Sequence, residues 1–106
     1  MFMFGNGSDQ TESGRIRFVE GTASTNWRGG YIHYDGSANE MHIGVHDASD
    51  AVIGNDENVI TIERGSGEVG IGTTNPSALL EVNATTVKKI GGGSWTASSD
   101  LSLIHI

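Results

Sequence analysis

Residues 31–45, YIHYDGSANEMHIGV, and residues 59–73, VITIERGSGEVGIGT, are two versions of one pattern set 28 positions apart. Ile32 aligns with Ile60, Glu40 with Glu68, Ile43 with Ile71 and Gly44 with Gly72. Each copy reads as an alternating run, a Gly/Ser-containing turn and a second alternating run, which predicts a β-hairpin. Registered about their turns, the first copy pairs Ile32 with Ile43 and Tyr34 with Met41. The second pairs Ile60 with Ile71 and Ile62 with Val69. Every pair is apolar on apolar, on a single face. Side chains alternate with a period of two, so a one-residue slip would carry the whole set to the other face; the agreement therefore specifies register. An isolated hairpin is at best marginal in water. Cover for this face is expected from the neighbouring hairpin or from another chain.

The rest of the chain supports the same class. In RIRFVE, Ile16 and Phe18 face one way while Arg15, Arg17 and Val19 face the other. Between the copies, HDASDAVIGNDEN is acidic and loop-like, with Ala51–Ile53 a candidate short edge strand. In SALLEV, Leu80 and Val82 alternate around Glu81, which favours a strand over one helical turn. Helical patterns are nearly absent. The expected fold is all-β, built of short antiparallel hairpins in an elongated, fibre-like array. The chain divides into an N-terminal segment, 1–13, disordered or truncated; a hairpin region, 14–83; a glycine/serine-rich linker, 84–100; and an apolar tail, 101–106.

Composition limits what such a chain can be. Sixteen of 106 residues are glycine and 36% are apolar, which leaves little side chain for a self-sufficient core. Stabilisation by association fits better. The formal net charge of −7 repels nucleic acid and anionic lipid. No apolar run reaches membrane-spanning length, so no membrane insertion is expected. There is no cysteine, which removes disulfides and thiolate metal sites.

The hairpin register sets His33 opposite His42 on the polar face, with His46 four residues on. Cross-strand neighbours lie roughly 5 Å apart at Cβ, close enough to share an ion. His33 and His42 are thus weak metal candidates, against the alternative of an ordinary exposed polar pair; no carboxylate or cysteine stands beside them at ligand spacing. Asp47, Asp50, Asp56 and Glu57 do not follow the order of a calcium loop. GEVGIGTT lacks the lysine and the following helix of a phosphate loop, and its alternate glycines point to close approach between strands. No cofactor and no metal is expected. Trp27, Tyr31, Tyr34 and Trp95 read as core before they read as a sugar-stacking platform.

GEVGIGTTNPSALLEVN, residues 67–83, resembles a VGIGT-x-x-P-x-x-x-L-x-V signature of bacteriophage tail fibres, where it lies just upstream of a self-cleaving intramolecular chaperone domain. The hairpin unit at 31–45 resembles the repeats of such fibre shafts. The resemblance implies a homotrimer on the virion tail, with a structural and adhesive role in host attachment and a host surface receptor, a glycan among the candidates. In the family a Gly/Ser stretch runs into S-D-x-R-L-K, where serine and lysine form the cleaving dyad. By that match Ser99 is the cleavage serine, with the cut between Ser98 and Ser99. Ser102 stands where the arginine belongs and Ile104 where the lysine belongs, so the dyad is not intact. A serine hydroxyl without a partner base is a weak nucleophile; the chain is not expected to be an enzyme. LSLIHI corresponds to CTG TCT CTT ATA CAC ATC, which resembles a sequencing-library adapter, so residues 101–106 are expected to be a non-native tail. A native apolar strand is the other reading of them. The rival functional class is a cell-surface adhesin or carbohydrate-binding β module unrelated to phage.

Overall fold

A computed structural model describes residues 1, 14–22 and 24–91. Expectations for Trp95, for Ser99 and for the tail at 101–106 lie outside the described residues. The rest form one six-stranded sheet whose strands lie side by side in chain order. They are β1 (Arg15–Val19), β2 (Gly29–Asp35), β3 (Glu40–His46), β4 (Asp56–Glu63), β5 (Val69–Ile71) and β6 (Leu80–Val82). The all-β expectation holds. β1 to β5 pair antiparallel, but β6 joins β5 in parallel, so the sheet is mixed rather than purely hairpin-built.

The hairpin registers are those the sequence specified. Ile32 opposes Ile43 and Tyr34 opposes Met41; Ile60 opposes Ile71 and Ile62 opposes Val69. The first turn is held by Asp35, whose Oδ1 accepts from the amides of Ser37 and Ala38, and by Asn39 in the left-handed region at φ 61°. Ala51–Ile53 is not an edge strand. Ile53–Asn55 forms a 3₁₀ turn instead, because Asp50 accepts from Val52 N and Asn55 Nδ2 and folds the segment on itself. At the second turn Arg64 Nη1 donates to the Tyr34 hydroxyl and Ser66 Oγ donates to Glu63 Oε2.

A β-bulge at the β3–β4 pair sets which residues of β4 face which way. Gly44 opposes Asn58 and Ile43 opposes Ile60, so Val59 is the extra residue. The bulge shifts the alternation by one position. Asp56 and Asn58 therefore share a face with Thr61, while Ile60 and Ile62 turn to the other.

The two hairpins broaden one sheet and do not cover each other. Their apolar faces merge into a continuous surface that the described chain leaves open. Ile16 and Phe18 on β1, Ile32 on β2, Met41, Ile43 and Val45 on β3, Ile62 on β4, Ile71 on β5 and Leu80 on β6 are all exposed; Ile43, near the centre, is 42% exposed and Phe18 63%. The opposite, polar face is the buried one. His33, His42, His46 and Thr61 are each 4% exposed or less, beside a buried Tyr31. Glycine permits close packing there. A Cβ at Gly44 would collide with the Tyr31 hydroxyl and the Glu57 carbonyl, and one at Gly70 would come within 2.5 Å of the Thr73 carbonyl.

Candidate functional site

The polar face is organised around Asp56 at the start of β4. Its carboxylate accepts from Arg15 Nη1 (2.9 Å), from both terminal nitrogens of Arg17 and from His46 Nδ1 (2.8 Å). The alternation of β1 projects both arginines onto this face, and β3 brings His46 opposite Asp56. Tyr31 lies beneath the two guanidinium groups, at 5.4 and 5.2 Å, and its hydroxyl donates to Asn58 Oδ1. Arg17 also stacks on Trp27 at 4.1 Å, and Trp27 meets the edge of His46. Trp27 N donates to the Asp50 carbonyl, tying the segment before β2 to the segment after β3. These two segments close part of the polar face.

The electrostatics follow from these contacts. Burial raises the Asp56 carboxyl, but hydrogen bonds from Arg17 and His46 and the two arginine charges outweigh it and hold the group below the ordinary carboxylate value. His46 is pushed above the ordinary imidazole value, chiefly by its bond to Asp56. Burial opposes the rise, and the second bond, from Nε2 to Asp50 Oδ1 (3.0 Å), assists it. An imidazole donating to two carboxylates from both nitrogens is an imidazolium.

His33 and His42 do stand opposite each other, with ring centroids 6.1 Å apart. They are not the exposed pair of the simpler sequence reading; both are buried. Arg15 Nη2 contacts His33 Nδ1 at 2.9 Å, and since a guanidinium only donates, His33 Nδ1 is the acceptor. His42 Nδ1 bonds Thr61 Oγ1 at 3.0 Å, and its Nε2 lies 3.5 Å from Glu40. A cation between the rings would face the Arg15 charge. Among the described residues no group of three or more His, Cys, Asp or Glu converges as metal ligands.

A cleft of about 190 Å³ opens onto this network, lined by Arg15, Tyr31, His33, Asp35, His42 and Asn58, with Ile53 and Asp56 at its wall. A cavity of ~150 Å³ holds a benzene-sized ring, so the cleft has room for one small molecule. Its lining offers donors and acceptors for hydrogen bonding and no serine or cysteine. Thr61, beside His42, is fully buried and cannot meet a substrate. The arrangement is suited to holding structure and binding polar groups. The sequence located His33 and His42 but missed Arg15, Arg17 and Asp56 as a unit. Their signal was the Arg-x-Arg alternation of β1, with Asp56 41 residues away from Arg15.

The two histidines have opposite linkage to pH. His42 is lowered by burial and then by the neighbouring His33. Below the ordinary value of about 6.5 the unfolded chain takes up a proton at His42 that the folded chain resists, so stability falls as pH drops. His46 is raised, so above about 6.5 the folded chain keeps a proton the unfolded chain releases, and stability falls as pH rises. Glu40, pushed up by burial and by Glu63 and Asp35, acts only nearer the carboxylate range. In urea unfolding across neutral pH, His42→Gln is expected to flatten the acid limb relative to the parent and His46→Gln the alkaline limb. Parallel pH profiles in parent and variants would refute the assignment.

Among the described residues no helix is long and apolar enough to cross a membrane. No protein-family model matches this chain, and no curated protein sequence matches it.

Proposed function

We propose that this chain is a structural and adhesive segment of a homotrimeric bacteriophage tail fibre. Its place is the shaft on the virion tail, just ahead of a self-cleaving chaperone, where it presents a surface to a host receptor. As it stands it acts without catalysis. The observation that carries the reading is the open apolar face of the sheet. It crosses all six strands, from Ile16 and Phe18 on β1 to Leu80 on β6, and a contiguous exposed apolar surface of that kind marks an interaction site. Both hairpin copies contribute to it with the same alternation, as a repeating shaft requires. Copies of this chain, which carry the same apolar face, are the occupant that matches it in kind. The likeness at residues 67–83, which spans β5 and β6, supports the fibre class.

Light scattering on the purified chain tests this. A mass of three chains, each 11.2 kDa, is expected; a monodisperse monomer at micromolar concentration would overturn it. The polar cleft beside Arg15 and His33 favours one second reading, a carbohydrate-binding module. Sugar binding by a stable monomer would establish that reading in place of the first.

A further inference from the structure

We propose that copies of this chain join edge to edge, the free side of β6 in one copy pairing in parallel with the free side of β1 in the next, with Glu81 beside Arg17. This deepens the fibre reading and rests on it. Among the described residues β1 and β6 each have a strand on one side only.

Four features of the two edges agree. The first is hydrogen-bonding parity. Tyr34 N donates to Gly14 O and Glu20 N to Arg28 O, so the even-numbered residues of β1 bond to β2. Arg15, Arg17 and Val19 therefore turn their backbone groups outward. On β6, Val69 N donates to Leu79 O and Asn83 N to Ile71 O, so the odd-numbered residues bond to β5. Leu80 and Val82 face outward. In a parallel ladder an outward residue bonds the two residues flanking its partner. Arg17 can then donate to Leu80 O and accept from Val82 N, which makes Glu81 its partner. The second feature is the face. That register sets Ile16 against Leu80 and Phe18 against Val82, so the apolar surface runs unbroken from one chain to the next.

The third feature is charge. Arg17 stands on the polar face of β1, where it meets Asp56, and its guanidinium charge is opposite in sign to a carboxylate brought alongside that edge. Glu81 stands on the same face of β6. Its Oε1 is occupied by Ser77, and hydrogen bonds from that side chain and amide hold its carboxyl below the ordinary value. Strand direction agrees as well. β1, β3, β5 and β6 all run the same way, and rotation about an axis along the strands preserves direction. A head-to-tail contact of this kind closes into a ring when its rotation permits, which for the proposed trimer is a ring of three chains with the apolar faces turned inward.

The chain has no cysteine of its own, which makes thiol cross-linking clean. In an Ile16→Cys/Leu80→Cys variant the two thiols lie five strand spacings apart within one copy, about 24 Å, far beyond a disulfide or a short bis-maleimide link. A ladder of cross-linked chains on a denaturing gel, absent from either single variant beyond the dimer, is expected. Glu81→Gln, which keeps an acceptor for Ser77, is expected to weaken association several-fold, and Glu81→Lys more than tenfold. An oligomer by light scattering that yields no ladder in the double variant would overturn edge pairing and leave the fibre reading standing. A monomer would overturn both.

Discussion

Ile43→Asp is expected to dissociate the proposed assembly. Ile43 sits between Ile32 on β2 and Ile60 on β4, near the middle of the apolar face, and in the single chain it is half open. If water covered that face, a carboxylate there would cost no more than about 0.5 kcal/mol, as most exposed substitutions do. If other copies cover it, the carboxylate is buried with no partner, at a cost of several kcal/mol. Each 1.4 kcal/mol is about tenfold in affinity, so association should weaken at least about 100-fold. Sedimentation velocity of parent and variant at matched concentration reads this directly. An unchanged sedimentation coefficient would remove the apolar face from the interface. Because the polar face lies on the opposite side of the sheet, the Asp56 network gives an internal control on folding.

Asp56→Asn is the second large effect, and it acts within one chain. The substitution leaves Arg15, Arg17 and His46 crowded together without their shared anion. The contacts are part-buried, so breaking them from one side is expected to cost somewhat less than the ~3–5 kcal/mol of a fully buried pair, still a sizeable part of the ~5–15 kcal/mol that holds an ordinary domain. The expected result is a fall of that order in unfolding free energy at neutral pH. The loss should shrink as pH drops toward the range where Asp56 itself takes up a proton in the parent. Replacing Arg17 as well, with Gln, should recover part of the loss, because it removes one of the stranded charges. In any variant that stays folded, the His46 imidazole should titrate closer to its ordinary value, visible by NMR. A loss below about 1 kcal/mol, within the range of an exposed pair, would show that the network is open to solvent screening.

The strand pairing was legible in the sequence because two constraints coincide. Ile32, Ile43, Ile60 and Ile71 fix the parity, and the Asp35–Asn39 and Glu63–Gly67 turns fix the offset. Which face would be buried was not legible, because alternation marks two faces and is silent on what covers either. The usual inference, apolar inward, fails in the single chain. The loop segments fold over the polar side, where Trp27, Asp50 and Asp56 hold them by charge and ring contacts. The parallel β6 was partly legible: Leu80–Val82 alternates, but nothing local says that a strand will return beside β5 in the same direction. The bulge at Val59 did leave a trace, two adjacent apolar residues where alternation calls for one. The pairing of Arg15 and Arg17 with Asp56 spans too much sequence for any local pattern to announce.

On this proposal, association of its copies stabilises the sheet by covering the apolar face that the single chain leaves open. The measurement that bears on it most directly is the thermal midpoint of the purified chain over a hundredfold range of concentration. If the apolar face is buried only between copies, mass action requires the midpoint to rise steadily with concentration. A sharp, cooperative transition at the same temperature throughout would mean that the single chain is complete by itself, and the account would be wrong.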